Sequence, residues 1–147
     1  MVSYESFIGH KVHKLDAKNR VSIPANMRSD LGAEFYITLG NDNNSLAIRT
    51  VENWKQFMEQ IQSLPTSVRK SAHFRFVANA ERLSLDPNGR IILSEYLRNI
   101  INVESKEEIV VFGADDRIEL WNKDVFYAQL DEGNSVDWAS VFDQYGI

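Results

Sequence analysis

Two arginines, each four residues after an aspartate, carry the side chains best suited to binding chemistry in this sequence. Asp16 precedes Arg20, and Asp86 precedes Arg90. An aspartate in a short loop can accept hydrogen bonds from the loop's own backbone N–H groups and hold the turn rigid. An arginine stays charged at all relevant pH values, and its planar fork fits the O6 and N7 edge of guanine. The pattern predicts paired arginine loops that bind DNA, with a purely structural ion pair across each turn as the open alternative.

Three lysines near the first arginine loop would add contacts to the phosphate backbone. They are Lys11, Lys14 and Lys18. Contacts between lysine and phosphate position a protein on DNA without reading the base sequence. The second motif has no comparable lysines, so the two loops are expected to contribute unequally.

The residue before each arginine is suited to a left-handed turn. Asn19 occupies this position in the first loop, and Gly89 occupies it in the second. Both residue types tolerate a positive φ better than other residues do. We therefore expect four residues to shape the loops, namely Asp16, Asn19, Asp86 and Gly89.

Catalysis is disfavoured by what surrounds the two aspartates. A duplicated aspartate could bring two carboxylates together at a pseudo-twofold axis, as in acid proteases. Those enzymes need a small hydroxyl residue and a glycine directly after the aspartate, whereas Ala17-Lys18 and Pro87-Asn88 follow here. The sequence has no cysteine, no Gly-x-Ser-x-Gly motif and no glycine-rich phosphate loop. Its histidines have no carboxylate at metal-ligand spacing, so we expect no enzyme, no cofactor and no bound metal.

An internal repeat must position the two loops. Residues 13–31 and 82–101 align so that the two aspartates, the two arginines, and Arg28 with Arg98 coincide. Each copy reads as strand, tight turn, strand, short helix, strand, turn, strand and helix. The apolar residues expected to face the core also match between copies: Val21 with Ile91, Ile23 with Leu93, Met27 with Leu97, and Leu31 with Ile101.

Local patterns predict the individual elements. Residues 11–15 and 20–23 flank the first polar loop and read as a hairpin. Pro24 suits the first turn of the short helix, and Gly32 suits its end. The remaining predictions are hairpins over residues 34–50 and 109–121, an amphipathic helix through Trp54, Phe57, Met58 and Ile61, a connecting helix over 66–79, and a C-terminal helix through Trp138, Val141, Phe142 and Tyr145. The apolar face of that last helix is typical of core packing, with a subunit contact as the alternative.

Composition and charge fit a folded protein with one anion-facing surface. The chain has 147 residues, of which 44% are hydrophobic, and this is enough to bury a core. The formal charge is −5, yet residues 1–103 carry a net +3 and residues 104–147 a net −8. Such asymmetry suits one surface that faces an anion and another that faces water or a subunit. Because no signal peptide or membrane-spanning run is recognisable, the cytoplasm is the expected compartment and no membrane partner is expected.

The sequence resembles the MraZ family at four places, and both arginine motifs occur in the family's order. The resemblance implies the AbrB-like swapped-hairpin fold. This fold is α+β, with a β-barrel made of two repeats that pair within one chain as a pseudo-dimer, and with peripheral helices. The matching segments are Phe7-Ile8-Gly9, residues 13–25, residues 85–91 and residues 117–121.

The resemblance also implies a function. Members of the family are bacterial transcriptional regulators that associate with the nucleoid and bind short G-containing direct repeats in double-stranded DNA, upstream of the division and cell-wall gene cluster. They assemble into ring-shaped homo-oligomers, commonly octamers. DNA contacts would come from Arg20 and Arg90, with Lys18 in support. Two residues depart from the family pattern, since Asn19 replaces the usual glycine and Ser94 replaces a proline often found in the second copy.

The repeat and the resemblance together predict four segments. These are a first AbrB-like repeat over residues 5–64, a connecting helix over 65–80, a second AbrB-like repeat over 81–130, and an acidic C-terminal helix or tail over 131–147. Two other functions stay open. One is a dimeric AbrB-type antitoxin or transition-state regulator, although those proteins normally carry one copy of the unit. The other is an acidic protein-interaction scaffold that does not bind DNA.

Overall fold

The elements follow the predicted order in both repeats. A computed structural model describes residues 7–147 of the chain. The first repeat contributes β1 (His10–Lys14), β2 (Arg20–Ser22), α1 (Ala25–Leu31), β3 (Glu34–Leu39), β4 (Ser45–Thr50) and α2 (Val51–Gln62). The second contributes β5 (Glu81–Ser84), β6 (Arg90–Ile92), α4 (Glu95–Ile100), β7 (Glu108–Gly113), β8 (Ile118–Asn122) and α5 (Lys123–Asn134). Helix α3 (Thr66–Ala72), continued by a π-helical segment (His73–Val77), connects the repeats, and α6 (Trp138–Tyr145) follows the second.

Strands are exchanged between the two repeats. A six-stranded antiparallel sheet has the order β1-β7-β8-β4-β3-β5, and β2 pairs with β6 in a separate two-stranded ribbon. Strand β1 of the first repeat therefore lies against β7 of the second, and β5 of the second lies against β3 of the first. The two repeats form an intrachain pseudo-dimer, as the resemblance implied.

The first predicted hairpin is wrong, because β1 and β2 lie in different sheets. Strand β7 contains three fully buried residues, Ile109, Val110 and Val111. The backbone N–H and C=O groups of such a strand must be paired on both sides, and β1 provides the partner on one side. The hairpins β3–β4 and β7–β8 form as predicted.

The six-stranded sheet is open within the described residues, since β1 and β5 are its two end strands. The α+β class and the two-repeat architecture are confirmed, but the predicted barrel does not close. Strands β2 and β6 pair with each other outside this sheet, and their buried residues Val21 and Ile91 belong to the same core.

The core contains the apolar residues that match between the two copies. Val21, Ile23, Ile91 and Leu93 are buried and belong to one cluster with the inner faces of β3, β4, β7 and β8. Met27, Leu31, Leu97 and Ile101 add the inner faces of α1 and α4 to the same cluster. A second, smaller cluster of Val110, Trp121 and Phe126 lies under α5. The repeat in the sequence is thus a repeat of core positions.

The helices begin as their first residues dictate. Pro24 is the residue before α1 and has an extended ψ of 141°. It therefore occupies the N-cap position, without a side-chain hydrogen bond, and does not lie within the first turn. At the matching position, the Ser94 hydroxyl accepts a hydrogen bond from the N–H of Leu97.

Helix α6 differs from the core-packing prediction, because the side chains of Trp138 and Phe142 are exposed within the chain. The helices of residues 7–147 include none with both the length and the apolar character needed to cross a bilayer.

Candidate nucleic-acid interface

Asp16 organises the first arginine loop. Its Oδ1 accepts hydrogen bonds from the backbone N–H groups of Lys18 and Arg20, both at 2.9 Å. Its Oδ2 accepts a hydrogen bond from Arg20 Nε at 2.7 Å. The Asn19 N–H closes the turn on the carbonyl oxygen of Asp16, and Asn19 has a φ of 61°. The carboxylate therefore holds both the backbone of the loop and the arginine that ends it.

The second loop repeats this arrangement. Asp86 Oδ1 accepts hydrogen bonds from the N–H groups of Asn88 and Arg90, and Oδ2 accepts one from Arg90 Nε at 3.0 Å. Gly89 has a φ of 75° and donates its N–H to the carbonyl oxygen of Asp86. Both loops thus carry a left-handed residue immediately before the arginine.

Hydrogen bonds in the loops keep both aspartates charged. The pKa of Asp16 lies below its usual value, chiefly because the N–H of Arg20 donates to the carboxylate. Burial acts in the opposite direction on the pKa of Asp86, but hydrogen bonds from Arg90 and Asn88 outweigh it and lower that pKa too. At neutral pH each loop therefore contains an ion pair between its aspartate and its arginine.

The two loops are joined across the pseudo-twofold axis. The N–H of Ile23 donates to the carbonyl oxygen of Gly89, and the N–H of Leu93 donates to that of Asn19. In the ribbon, β2 and β6 pair so that Ser22 lies opposite Arg90. These bonds make the two loops one structural unit with the β2–β6 ribbon at its centre.

This unit brings Arg20 and Arg90 together on one face of the ribbon. Arg90 Nη1 lies 3.7 Å from Asp16 Oδ2, the oxygen that also accepts from Arg20 Nε. About a quarter of each arginine side chain is exposed, 27% for Arg20 and 25% for Arg90. Each Nε is held by an aspartate, and no other carboxylate in residues 7–147 forms an ion pair with Arg20. Within residues 7–147, the Nη groups of Arg20 form no ion pair, whereas Arg90 Nη1 is also close to Asp16.

A shallow groove runs beside the paired arginines. It has a volume of about 410 Å³ and is lined by Arg20, Arg90, Asp86, Ile92 and residues 82–85. Ile92 is 61% exposed, and Arg82 forms an exposed ion pair with Glu34. Nothing in the motif pattern singled out Arg82, which lies on β5, four residues before Asp86.

Two further arginines support the loops from behind. Arg28 Nε donates to the carbonyl oxygen of Ile23 at 2.6 Å, and Arg98 Nε donates to that of Leu93 at 3.3 Å. The Arg28 guanidinium lies over Gly89 so closely that a Cβ there would be 2.3 Å from its Cζ. The alignment of Arg28 with Arg98 in the two copies was the sequence signal for this role.

The three lysines do not share one surface. Lys18 lies in the first arginine loop and is exposed. Lys11 and Lys14 lie on β1, opposite Val111 and Glu108. Side chains three residues apart on a strand point to opposite faces of the sheet. Lys11 and Lys14 therefore cannot both face the same stretch of a DNA phosphate backbone. Of the three, Lys18 alone belongs to the unit that carries the arginines.

The fold is a duplicated α+β unit whose halves exchange strands and present matching arginine loops. Comparison with known protein families shows to which of them the chain belongs. Residues 6–77 and residues 76–142 each match the family described as "MraZ protein, putative antitoxin-like". The chain therefore belongs to the MraZ family, and the resemblance carried by the two arginine motifs is confirmed.

Relatives with the name "Transcriptional regulator MraZ" match most of the chain. The one from Caldanaerobacter subterraneus subsp. tengcongensis is 31% identical over 144 residues, which are 95% of this chain and 99% of the relative. Those from Thermoanaerobacter sp. (strain X514) and Clostridium tetani are each 34% identical, over 81% and 80% of this chain and 82% of either relative. The family is one of transcriptional regulators and not of enzymes, as expected.

Proposed function

We propose that this chain is a transcriptional regulator that binds double-stranded DNA through its paired arginine loops. The observation that carries the proposal is the junction of Arg20 and Arg90 on one face of the β2–β6 ribbon, where the aspartate of each loop holds the Nε of its own arginine and Asp16 also lies 3.7 Å from Arg90 Nη1. A two-stranded ribbon has the width that the major groove of B-DNA admits. Each arginine would bind the O6 and N7 edge of a guanine.

The aspartates would contribute by holding the arginines ready. Ordering a long side chain on binding costs free energy, about 0.5–1.5 kcal/mol for each one. Asp16 and Asp86 already hold the Nε groups of Arg20 and Arg90, at 2.7 and 3.0 Å. Part of that ordering has therefore been done before DNA arrives. Lys18 would add a phosphate contact beside the first loop. Lys11 and Lys14 would contact phosphates of the flanking DNA.

The proposal extends to assembly and location. Two arginine forks per chain provide little binding free energy once the entropic cost of association is counted. A ring-shaped homo-oligomer, with the octamer as the expected size, would present the same ribbon several times to direct repeats, and each further contact would be intramolecular. Such a protein would act in the cytoplasm on the nucleoid, at G-containing repeats upstream of the division and cell-wall gene cluster.

Substitution of the arginines tests the proposal. Arg20→Ala and Arg90→Ala should each weaken binding to the chain's own upstream promoter region by about 1–3 kcal/mol, or roughly 5- to 150-fold. Arg20→Lys keeps the charge but loses the fork, so it should lose preference over scrambled DNA while retaining non-specific binding. Fluorescence anisotropy on both DNAs measures the affinities, and circular dichroism verifies the fold.

Arg69→Ala, a substitution of a partly exposed arginine on α3, is the matched control and should bind like the parent. The proposal fails if the parent does not distinguish its promoter from scrambled DNA. It fails for these residues if folded Arg20→Ala and Arg90→Ala variants keep the parent's preference.

Repeat spacing tests the assembly separately. Insertion of half a helical turn, about 5 base pairs, moves one repeat to the opposite face of the duplex. A ring that binds several repeats should then lose much of its affinity, whereas a single pseudo-dimer would not respond. Light scattering of the free protein should give a mass well above that of a dimer. A monomer indifferent to the insertion would contradict multivalent binding even if the arginines contact bases.

A further inference from the structure

A buried arginine lies away from the DNA-binding unit, on β4. Arg49 is 4% exposed, and its Cζ lies 3.8 Å from the centre of the Phe57 ring on α2. Its Nη1 atom is buried, and no group in residues 7–147 accepts a hydrogen bond from it. A buried cation without a hydrogen-bonded counter-charge is costly, so such groups in proteins are normally paired. Arg49 is therefore a candidate for pairing with a group outside residues 7–147.

Within residues 7–147, no carboxylate forms an ion pair with Arg49. Arg117 lies nearby, directly before β8. Burial, and then the charge of Arg117, lowers the pKa of Arg49 to about 10, although the charges of Asp116 and Glu119 act to raise it. Arg117 itself is engaged, since its Nε donates to Glu119 and its Nη1 to Asp116, both at 2.8 Å. The second oxygen of Glu119 accepts from Trp121 Nε1 at 3.0 Å.

The exposure of each side chain near Arg49 determines which of these charges compensate each other. The side chain of Glu119 is 8% exposed, and that of Arg117 is 23% exposed, so these two compensate each other within the protein. The side chain of Asp116 is 63% exposed, and water screens its charge. The shielded groups consequently keep one uncompensated positive charge, that of Arg49.

Arg49 lines a small polar cavity between β4, α2 and the start of β8. The cavity has a volume of about 100 Å³. Drug-sized ligands occupy cavities of about 300 Å³ or more, whereas this space corresponds to about three water molecules. Its walls carry the side-chain amides of four residues; that of Asn53 already donates to the carbonyl oxygen of Asp116 at 2.6 Å. The lining residues are Asn41, Arg49, Asn53, Gln56, Phe57, Gln60, Asp116 and Arg117.

We propose that this cavity binds a small tetrahedral oxyanion, such as inorganic phosphate or sulfate, with Arg49 as its principal counter-charge and the surrounding amides as further donors. The oxyanion would neutralise the buried guanidinium and accept the hydrogen bonds that Nη1 does not make within residues 7–147. This site is separate from the arginine loops and does not depend on the proposed DNA binding.

Thermal denaturation of the full chain in sodium phosphate tests the proposal. Phosphate and sulfate stabilise most proteins weakly by exclusion from their surface, so the informative quantity is the difference between parent and variant in the same buffer. At a phosphate concentration a hundredfold above its Kd, a specific site should raise the thermal midpoint of the parent by about 5–10 °C and then saturate. Sodium chloride at the same ionic strength should not produce this rise.

Two variants isolate the cavity. Arg49→Met keeps an apolar chain against Phe57 but removes the charge, and it should lose the saturable rise. Gln56→Glu, a substitution in the cavity wall, supplies a carboxylate from the chain, so it should raise the midpoint without phosphate and also lose the response. Gln62→Glu lies on the same helix outside the cavity and is the matched control, which should respond like the parent.

The outcomes separate an anion site from a cavity that holds only water. A parent without a saturable response, or with the same response in Arg49→Met and Gln56→Glu, would overturn the proposal. If Arg49→Met does not fold, Gln56→Glu against Gln62→Glu decides alone. Binding of promoter DNA by Gln56→Glu should equal that of the parent, since a DNA phosphate is not the expected occupant. A loss of DNA affinity in this variant would identify the cavity as part of the DNA surface instead.

Discussion

Replacement of Gly89 by alanine measures how the two arginine loops are held together. Gly89 has a φ of +75°, and a Cβ at this position would lie 2.3 Å from Cζ and 2.4 Å from Nε of Arg28. Arg28 Nε donates a hydrogen bond to the carbonyl oxygen of Ile23 at 2.6 Å. An alanine would keep the left-handed backbone and would also push the guanidinium away from this carbonyl.

The two effects add to a measurable loss of stability. A residue with a Cβ in the left-handed region costs about 1–2 kcal/mol relative to glycine. Loss of a hydrogen bond from a charged, half-buried donor costs about 1–2 kcal/mol more, because the guanidinium can still turn toward water. We therefore expect the free energy of unfolding to fall by roughly 2–4 kcal/mol. For a chain of this length the thermal midpoint should fall by about 4–16 °C, and Gly89→Val, with a β-branched side chain, should cost more.

A double-mutant cycle separates the two contributions. In an Arg28→Met background the guanidinium is absent, so Gly89→Ala should cost only the backbone strain of about 1–2 kcal/mol. The matched control is Asn19→Gly in the other loop. Asn19 already has a φ of 61°, and its buried Oδ1 has no partner in residues 7–147, so we expect this change to be neutral or mildly stabilising. If Gly89→Ala proves as stable as the parent, or costs the same with and without the Arg28 guanidinium, the proposed packing is wrong.

Three further variants test the cap of α4, the burial of His13 and the phosphate contact of Lys18. Ser94→Ala removes the hydroxyl that caps α4, so calorimetry should show a loss of about 1 kcal/mol; an unchanged unfolding free energy would mean that the cap is redundant. Burial, with the charges of Lys11 and Arg28, holds the pKa of His13 below its usual 6.5. The folded state therefore resists protonation, and the thermal midpoint should fall as pH drops below about 6.5, by less in His13→Gln than in the parent; equal falls would exclude His13. Lys18→Ala should reduce the slope of log affinity against log salt by about 0.9, whereas Lys14→Ala, opposite Glu108, should change it less; identical slopes for parent and Lys18→Ala would remove this lysine from the phosphate surface.

The repeat made the order of elements predictable from sequence. A match at a constant offset, such as Val21 with Ile91, identifies core positions without knowledge of the fold, since both copies must bury the same face. The same comparison predicted the turn geometry, because Asn19 and Gly89 are among the few residues suited to a positive φ.

Partners distant in the chain could not be predicted in this way. Local periodicity shows that residues 11–15 form a strand, but it carries no information on whether that strand pairs with β2 or with β7. For the same reason the separation of Lys11 from Lys18 became visible only in three dimensions. The burial of Arg49 also depends on the packing of α2 and β8 around β4. Both elements were predicted from the sequence, but local patterns did not show that they meet at Arg49.

The exchange of strands between repeats also has a consequence for synthesis of the protein on the ribosome. Strand β1 ends at Lys14, and its partner β7 begins at Glu108. At the usual elongation rates the intervening stretch takes roughly 5–20 s to translate. During that interval the nascent first half has an unpaired strand and half of a hydrophobic core, which are the features that recruit chaperones or promote aggregation. Folding of the first repeat is thus governed by the arrival of the second, and slower translation of the second half would prolong the vulnerable state.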